Sequence, residues 1–337
     1  MYLLRQAVIM EEKMQEGYSM RYAGLCGQEA SVIALGTMDF GGKIPEGLAC
    51  DFMDAYMEIG GNFIDTARIY GDFARGIQGG SEEVIGRWME RNRTRSRVIL
   101  STKGGHPDLS SMHTGRLDRR NVMEDMQRSL DALRCGCVDI YWLHRDDVRR
   151  PVEDILETLT ELTERGMAKY VGVSNWTPER IAGALECAEK HGLVRLHANQ
   201  PQFSLARQVV VEDPTLCQMD AAMHALHVKE QLACVPFSSQ AKGFLSKMDA
   251  LGEAGLPDKA RRRYLCGENL AVLERARRVA QDTGRSVGAV ALAWLVAQDY
   301  PTFPIAGVSR MEHIDALKEA GDTVLTKEQR HYLRKMI

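Results

Sequence analysis

Gly60-Gly61-Asn62-Phe63-Ile64-Asp65-Thr66-Ala67-Arg68-Ile69-Tyr70-Gly71 is the stretch from which the fold can be read. Asn62-Phe63-Ile64 reads as a short buried strand. Asp65 stands at its C-terminal end, and Tyr70 follows in a loop closed by Gly71. An acid at a strand end and a tyrosine in the next loop are what a site needs to hand a proton to a developing alkoxide. The same pair also suits a turn-capping Asp and a Tyr packed on a rim. The order of the residues around the stretch separates the two readings.

Upstream, Met20 to Leu35 reads as a hairpin about Gly24-Leu25-Cys26-Gly27 and then a strand, Val32-Ile33-Ala34-Leu35, ending in Gly36-Thr37-Met38. Leu48, Phe52, Ala55, Tyr56 and Ile59 recur at helical spacing between this strand and the central stretch. Downstream, a Gly-rich loop leads to Ser81, read as an N-cap with Glu82 and Glu83 behind it and Val84, Ile85 and Trp88 on one face. The alternation then repeats. Strands are expected at 97–102, 138–143, 170–173, 196–199, 232–237 and 302–306. Helices are expected at 118–133, 151–165, 177–191, about 215–230, 268–283, 286–298, 310–320 and 326–336. Pro151 opens one helix where its missing N–H costs nothing, and Gly166 ends it. Short apolar strands alternating with helices imply a parallel sheet covered by helices. Eight such units imply a closed (β/α)8 TIM barrel, with a short N-terminal hairpin and extra C-terminal helices. A doubly wound open sheet is the competing fold, but no G-x-G-x-x-G or G-x-x-x-x-G-K follows any strand.

A chain of 337 residues, 45% hydrophobic, suits one large barrel or two ordinary domains, and no low-complexity linker divides it. Residues 1–19 read as an N-terminal extension and 20–337 as a single barrel domain. A net charge of −3 gives no global field for nucleic acid or an anionic membrane, and no apolar run spans a bilayer. Met1 to Met10 lacks a small-residue cleavage site and is followed by Glu11, Glu12 and Lys13, so it does not read as a signal peptide. Eight scattered cysteines without a C-x-x-C pair fit reduced thiols in a cytoplasmic protein. With no His cluster at zinc spacing and no H-x-H on the first strand, no metal is expected.

In such a barrel the chemistry lies at the C-terminal ends of the strands. Those ends carry Asp65 with Tyr70 beyond, Lys103, His144, Ser174 with Asn175, Gln200, and Phe237 with Ser238. A hydride reaching a carbonyl carbon leaves charge on oxygen, so an acid must lie within hydrogen-bond reach. A nearby ammonium lowers the pKa of a tyrosine, which makes Tyr70 the better donor if Lys103 is close. Asp65 can hold that lysine protonated, and His144 can donate to the substrate oxygen. Ser174, Asn175 and Gln200 suit a carboxamide, and Phe237 offers a flat face for an aromatic ring.

These residues resemble those of the aldo-keto reductases. The matching stretches are Gly36-Thr37-Met38, Asp65-Thr66-Ala67 through Tyr70-Gly71, Gly80-Ser81-Glu82-Glu83 with Ile85-Gly86, Ser101-Thr102-Lys103, Asp139 through Leu143-His144, Gly172-Val173-Ser174-Asn175 and Asn199-Gln200. Gly243-Phe244-Leu245 and Ile305-Ala306-Gly307 match more loosely, and the resemblance spans about residues 20 to 320. It implies a (β/α)8 barrel that binds NADPH in preference to NADH without a Rossmann domain. It also implies an Asp-Tyr-Lys-His tetrad: Tyr70 as general acid, Lys103 and Asp65 tuning it, His144 orienting a small carbonyl substrate. Ser174, Asn175 and Gln200 match the positions that bind the nicotinamide carboxamide. Phe237 falls where the family usually has a stacking Tyr.

The chain departs from the family at Ser238-Ser239-Gln240, where Ser-Pro-Leu is usual, so the pyrophosphate loop that includes Gly243 is open to a different course. After Gly307, Val308-Ser309-Arg310 with His313 replaces a stretch in which some members carry a phosphate-binding Lys. Arg310 suits a 2′-phosphate fork and equally a solvated helix start. The expected activity is NADP(H)-dependent reduction of an aldehyde or ketone. The alternatives are an NAD-dependent sugar or polyol dehydrogenase and a slow-turnover NADPH-binding redox sensor. Substrate choice is assigned to the loops at 71–80, 104–117, 203–214 and 238–268, and oligomeric state stays open. His106, Asp108, His113 and Arg116 in the second loop hint at a polar substrate. Arg261-Arg262-Arg263 reads either as an anion contact or as an exposed helix face, and Trp176 either as pocket lining or as packing.

Overall fold

The computed structural model describes residues 20–71 and 80–334. The expected extension over 1–19 and most of the 71–80 loop lie outside them. The hairpin is present as antiparallel strands β1 (Tyr22–Leu25) and β2 (Gln28–Ser31). Eight parallel strands follow: β3 (Ala34–Gly36), β4 (Phe63–Asp65), β5 (Ile99–Gly104), β6 (Val138–Leu143), β7 (Ala168–Ser174), β8 (Ala198–Gln200), β9 (Ala233–Cys234) and β10 (Ile305–Gly307). Strands β3 to β9 pair in chain order, and β10 returns to pair with β3. The ring closes between β9 and the chain entering β10. Cys234 N–H donates to Pro301 O at 2.8 Å, Phe303 N–H to Cys234 O at 2.8 Å and Ile305 N–H to Pro236 O at 3.0 Å. The (β/α)8 barrel expected from the alternation is therefore the observed fold.

Helices α1 (Glu46–Glu58), α2 (Gly80–Asn92), α3 (Arg119–Leu133), α4 (Val152–Glu164), α5 (Pro178–His191) and α6 (Ala221–Glu230) follow β3 to β8 in turn. After β9 come α7 (Phe244–Leu251), α8 (Asp258–Tyr264), α9 (Gly267–Thr283) and α10 (Val287–Val296). The extra helices α11 (Glu312–Asp322) and α12 (Lys327–Leu333) follow β10. Side chains of Asp118, Thr177, Asp220, Ser286 and Thr326 cap their helices by accepting a backbone N–H from the first turn.

Period-two alternation sorts the strand side chains into two cores. Ile64, Leu100, Tyr141, Leu143, Val171 and Val173 face outward into the larger core under the helices. Phe63, Ile99, Ile140, Trp142, Ala198, Ala233 and Phe303 face inward and fill the barrel, with Leu25 of β1 and Ala30 of β2 packed against them from below. Gly172 makes room for this filling: a Cβ there would lie 2.5 Å from the Trp142 ring and 2.6 Å from Ala198 O.

Several expectations change. Ser81 does not cap with its side chain; its hydroxyl lies 2.8 Å from Thr66 Oγ1 and donates to Thr37 at 2.9 Å, joining α2 to the loops after β3 and β4. The helix expected from about 215 begins at 221, because Asp220 is the N-cap. The strand expected over 232–237 is regular only over Ala233–Cys234, with Phe237 joining Gln202 by an isolated bridge. Helices α7 and α8 were not anticipated. Arg262 and Arg263 both bind Glu212, so the arginine triplet is not simply a solvated face. Trp176 is fully buried packing, with the Arg180 guanidinium 5.1 Å above its ring. No described helix is long and apolar enough to cross a membrane.

Candidate active site

The inward-facing rows end in polar residues. Phe63 leads to Asp65, Ile99 and Ser101 to Lys103, Ile140 and Trp142 to His144, and Ala198 to Gln200. The apolar filling below and the polar groups above are one period-two pattern, so these side chains converge at the C-terminal mouth.

Asp65 and Lys103, each 1% exposed, form the centre. Lys103 Nζ donates to Asp65 Oδ2 at 2.5 Å and to Thr66 O at 2.7 Å. Asp65 Oδ1 accepts from Ser101 Oγ at 2.7 Å and from Gln200 Nε2 at 3.1 Å. The Tyr70 loop is hydrogen-bonded onto β5: Thr66 N–H donates to Ser101 O and Arg68 N–H to Lys103 O, both at 2.9 Å. Tyr70 then turns back by donating its N–H to Ala67 O at 3.0 Å. Gly71 completes the turn at φ +101°, where a side chain would be strained. This places the Lys103 ammonium 4.9 Å from the Tyr70 ring centroid. The His144 ring stands edge-on to Tyr70 at 5.9 Å. The tetrad residues are thus brought together.

The electrostatics correct one expectation. The Tyr70 phenol lies above its ordinary value of 10.0, because burial raises it more than the Lys103 charge lowers it. Burial pulls Lys103 down, but the Asp65 carboxylate and Tyr70 lift it above the ordinary lysine value, so it is held charged. Burial, and then the charges of Lys103, His106 and Arg145, push His144 well below the usual histidine range. Its imidazole is therefore neutral at neutral pH. His144 Nδ1 is buried without a partner among the described residues.

Ser174, Asn175 and Gln200 form a second hydrogen-bonded row beside the tetrad. Ser174 Oγ donates to Gln200 O at 2.8 Å, and Asn175 Nδ2 donates to Ser174 Oγ at 3.0 Å and to His144 O at 3.1 Å. Asn175 turns the chain at φ +62°. The other expected cofactor residues occupy the loops after β9 and β10. Phe237 and Ser238 are half-buried. Ser238, Ala241, Lys242 and Gly243 all have left-handed backbones. Gly307 N–H donates to Gln240 Oε1 at 3.2 Å, and Ser239 Oγ donates to Ile305 O at 2.5 Å, tying the two loops together. Arg310 is exposed; its guanidinium lies 3.2 Å from His313 Nε2, whose Nδ1 accepts from Ser309 N–H at 3.1 Å.

Two neighbours went unassigned at the sequence level. His106, noted there only as a hint of a polar substrate, is buried against His144 with ring centroids 4.8 Å apart. Arg145 follows His144 directly and donates from Nη1 to His144 O at 3.0 Å. Its position after a strand-end histidine was the available signal. Asp146 pairs with Arg180 at 3.2 Å and Asp147 with Arg149 at 3.1 Å. No group of three or more His, Cys, Asp or Glu that could hold a metal occurs among the described residues. A surface cleft of about 280 Å³ lined by Arg21, Ala297, Thr323, Lys327 and Arg330 contains none of these site residues. It lies where the chain runs toward β1 and β10, at the opposite end of the barrel.

Comparison with known proteins agrees with this layout. A model described as the aldo/keto reductase family matches residues 32–337. An uncharacterised oxidoreductase of Bacillus subtilis, YrpG, is 29% identical over 91% of this chain and 92% of its own length. An aryl-alcohol dehydrogenase of Pestalotiopsis microspora is 28% identical over 88% of this chain and 76% of its own. An aldo-keto reductase from Bacillus halodurans, solved in its holo form, superposes with a TM-score of 0.74 at 23% identity, over 94% of this chain and 96% of that one. Because the family match runs from just before the first barrel strand to the last residue, this chain belongs to the aldo/keto reductase family, and it is an oxidoreductase.

Proposed function

We propose that the protein reduces an aldehyde or ketone to an alcohol with NADP(H), using Tyr70 as the general acid. One observation carries this reading: the Lys103 ammonium, fixed by Asp65 at 2.5 Å, lies 4.9 Å from the Tyr70 ring centroid with His144 alongside.

The residues present fit a nicotinamide dinucleotide. Ser174, Asn175 and Gln200 present amide and hydroxyl groups beside the tetrad, and half-buried Phe237 can stack on a ring. In the loop after β9, Lys242 is held below the usual lysine value by partial burial and by the charges of Lys259, Arg263 and Lys43. Such crowding of like charge is relieved by an anion such as a pyrophosphate. The exposed Arg310, with His313, can meet a 2′-phosphate, and one similar protein is named as an NADP(+) aryl-alcohol dehydrogenase.

When bound, the reduced nicotinamide supplies a hydride to the carbonyl carbon. The electron pair displaced onto the carbonyl oxygen takes the proton of Tyr70 Oη, giving the alcohol. Lys103 stabilises the phenolate left behind, and Asp65 keeps Lys103 charged and in place. Neutral His144 donates an N–H to the carbonyl oxygen and so fixes its approach. A proton from solvent restores Tyr70.

The test is a titration with NADPH and NADH followed by turnover of an aldehyde panel. Tyr70→Phe should lower kcat by about 100- to 10,000-fold with NADPH affinity preserved. Undiminished turnover in that variant would remove Tyr70 from the acid role. Failure of both nucleotides to bind would remove the reductase reading.

A further inference from the structure

Arg145 is a cation at the mouth of the barrel, among the described residues, that the proposed chemistry leaves unused. Its side chain is 12% exposed, so the guanidinium is largely withdrawn from water. A guanidinium carries five N–H donors. Here Nη1 makes one hydrogen bond, to His144 O, and Nε is buried without a partner among the described residues. Asp213 Oδ2, its acidic neighbour, stands 3.7 Å from Nη2, beyond hydrogen-bond reach. The other oxygen of Asp213 is taken by Thr215, through its N–H at 3.0 Å and its hydroxyl at 2.6 Å. Asp146 and Asp147 are committed to Arg180 and Arg149. Arg116, in the neighbouring loop, is already held by Asp125 at 3.2 Å and by His106 O at 3.0 Å. Lys103 is neutralised by Asp65.

The mouth around Tyr70, His106 and His144 therefore holds a desolvated, weakly countered positive charge. Leaving such a charge underused is costly, and a planar anion with two acceptor oxygens would satisfy it. The charge also acts on the groups around it, since Arg145 helps to depress both His106 and His144.

We propose that Arg145 is a specificity-determining residue that binds an anionic group, carboxylate or phosphate, on the carbonyl substrate. This deepens the reductase reading and rests on it. The anion would take the unused donors of Arg145 and displace Asp213 as its partner. The carbonyl would then point at Tyr70 and His144, the groups on which Arg145 already borders.

The experiment compares wild type, Arg145→Met and Arg145→Lys, each saturated with NADP+, by calorimetry with benzoate, phenyl phosphate and neutral benzamide. It then measures kcat/KM with para-carboxybenzaldehyde and its methyl ester. Wild type should bind an anion in preference to benzamide. Arg145→Met should weaken that binding about 10- to 100-fold, the worth of a charge-assisted pair. Arg145→Lys should restore part of it. The ratio of kcat/KM for acid over ester should fall by a similar factor. The stronger of benzoate and phenyl phosphate identifies the anion. Equal binding of anions and benzamide by wild type would overturn the proposal, as would a parallel loss for all ligands in Arg145→Met. The latter would mean that Arg145 merely latches the 203–219 loop through Asp213. If Arg145→Met does not fold, Asp213→Asn decides: freeing the guanidinium should tighten the anion several-fold, and unchanged or weaker binding would overturn the proposal. Arg145-dependent anion binding with no turnover of any aldehyde would instead remove the reductase reading and leave the anion site standing.

Discussion

Tyr70 and His144 are displaced from their ordinary titration ranges in opposite directions, and this fixes the expected pH dependence of the proposed reaction. A general acid works only while protonated. Tyr70 lies above 10.0, so activity should persist to about pH 10 and decline as pH rises through the folded value. His144 stays neutral down to well below 6.5, and His106 is pushed down to about 4. The profile of kcat/KM should therefore lack a break near the usual histidine value of about 6.5. A break there would show that His144 titrates in the normal range. The Asp65–Lys103 pair predicts stability as well. Asp65→Asn would strand a buried ammonium, at a cost of about 3–5 kcal/mol by urea unfolding. The Asp65→Asn/Lys103→Met double variant should recover much of that loss.

At the scale of elements, Glu82 joins helix to strand. It lies on α2, fully buried, and accepts from Thr102 Oγ1 of β5 at 2.5 Å, next to Lys103. Its second oxygen has no hydrogen-bond partner among the described residues. Burial pushes its carboxyl up from 4.5 to about 7. The folded state therefore keeps a proton that the unfolded chain releases above 4.5. The resulting stability is present in full below 4.5 and is lost as pH rises through about 7. The span is worth about 3 kcal/mol. Unfolding free energies at pH 5 and pH 8 should differ by up to about that much in wild type and by clearly less in Glu82→Gln. Thr177→Ala, which removes the cap of α5, should cost about 1 kcal/mol at either pH.

The same scale shows what the sequence made legible. Strands such as 138–143 and helices such as 177–191 announced themselves through apolar runs, Thr-Pro starts and a closing Gly. The convergence of Asp65, Tyr70, Lys103 and His144 was legible because each ends a strand or follows one closely. Ser81 misled because a serine before two glutamates looks like a cap, whereas its hydroxyl is spent on Thr37 and Thr66. Helices α7 and α8 were missed because they are short and bury few residues, such as Phe244, Leu245, Ala260 and Tyr264. The upward displacement of Tyr70 was illegible because it depends on burial, a property of the assembled barrel. Arg145 was overlooked because its meaning lies in donors left unused, and no sequence records those.

For the whole molecule, the packed interior sets the tolerance of the barrel. Gly172→Ala would drive a methyl into Trp142 and the Ala198 carbonyl. It should cost about 1–3 kcal/mol in unfolding experiments. It should also disturb turnover, because Trp142 precedes His144 on the same inward row. The hairpin has a different bearing. Leu25 and Ala30 press into the lower end of the packed column, and Phe63, Trp142 and Phe303 fill it above them. The barrel is in effect a cup with a solid floor. Under the proposed chemistry, carbonyl compound, alcohol and the proton that restores Tyr70 share one doorway.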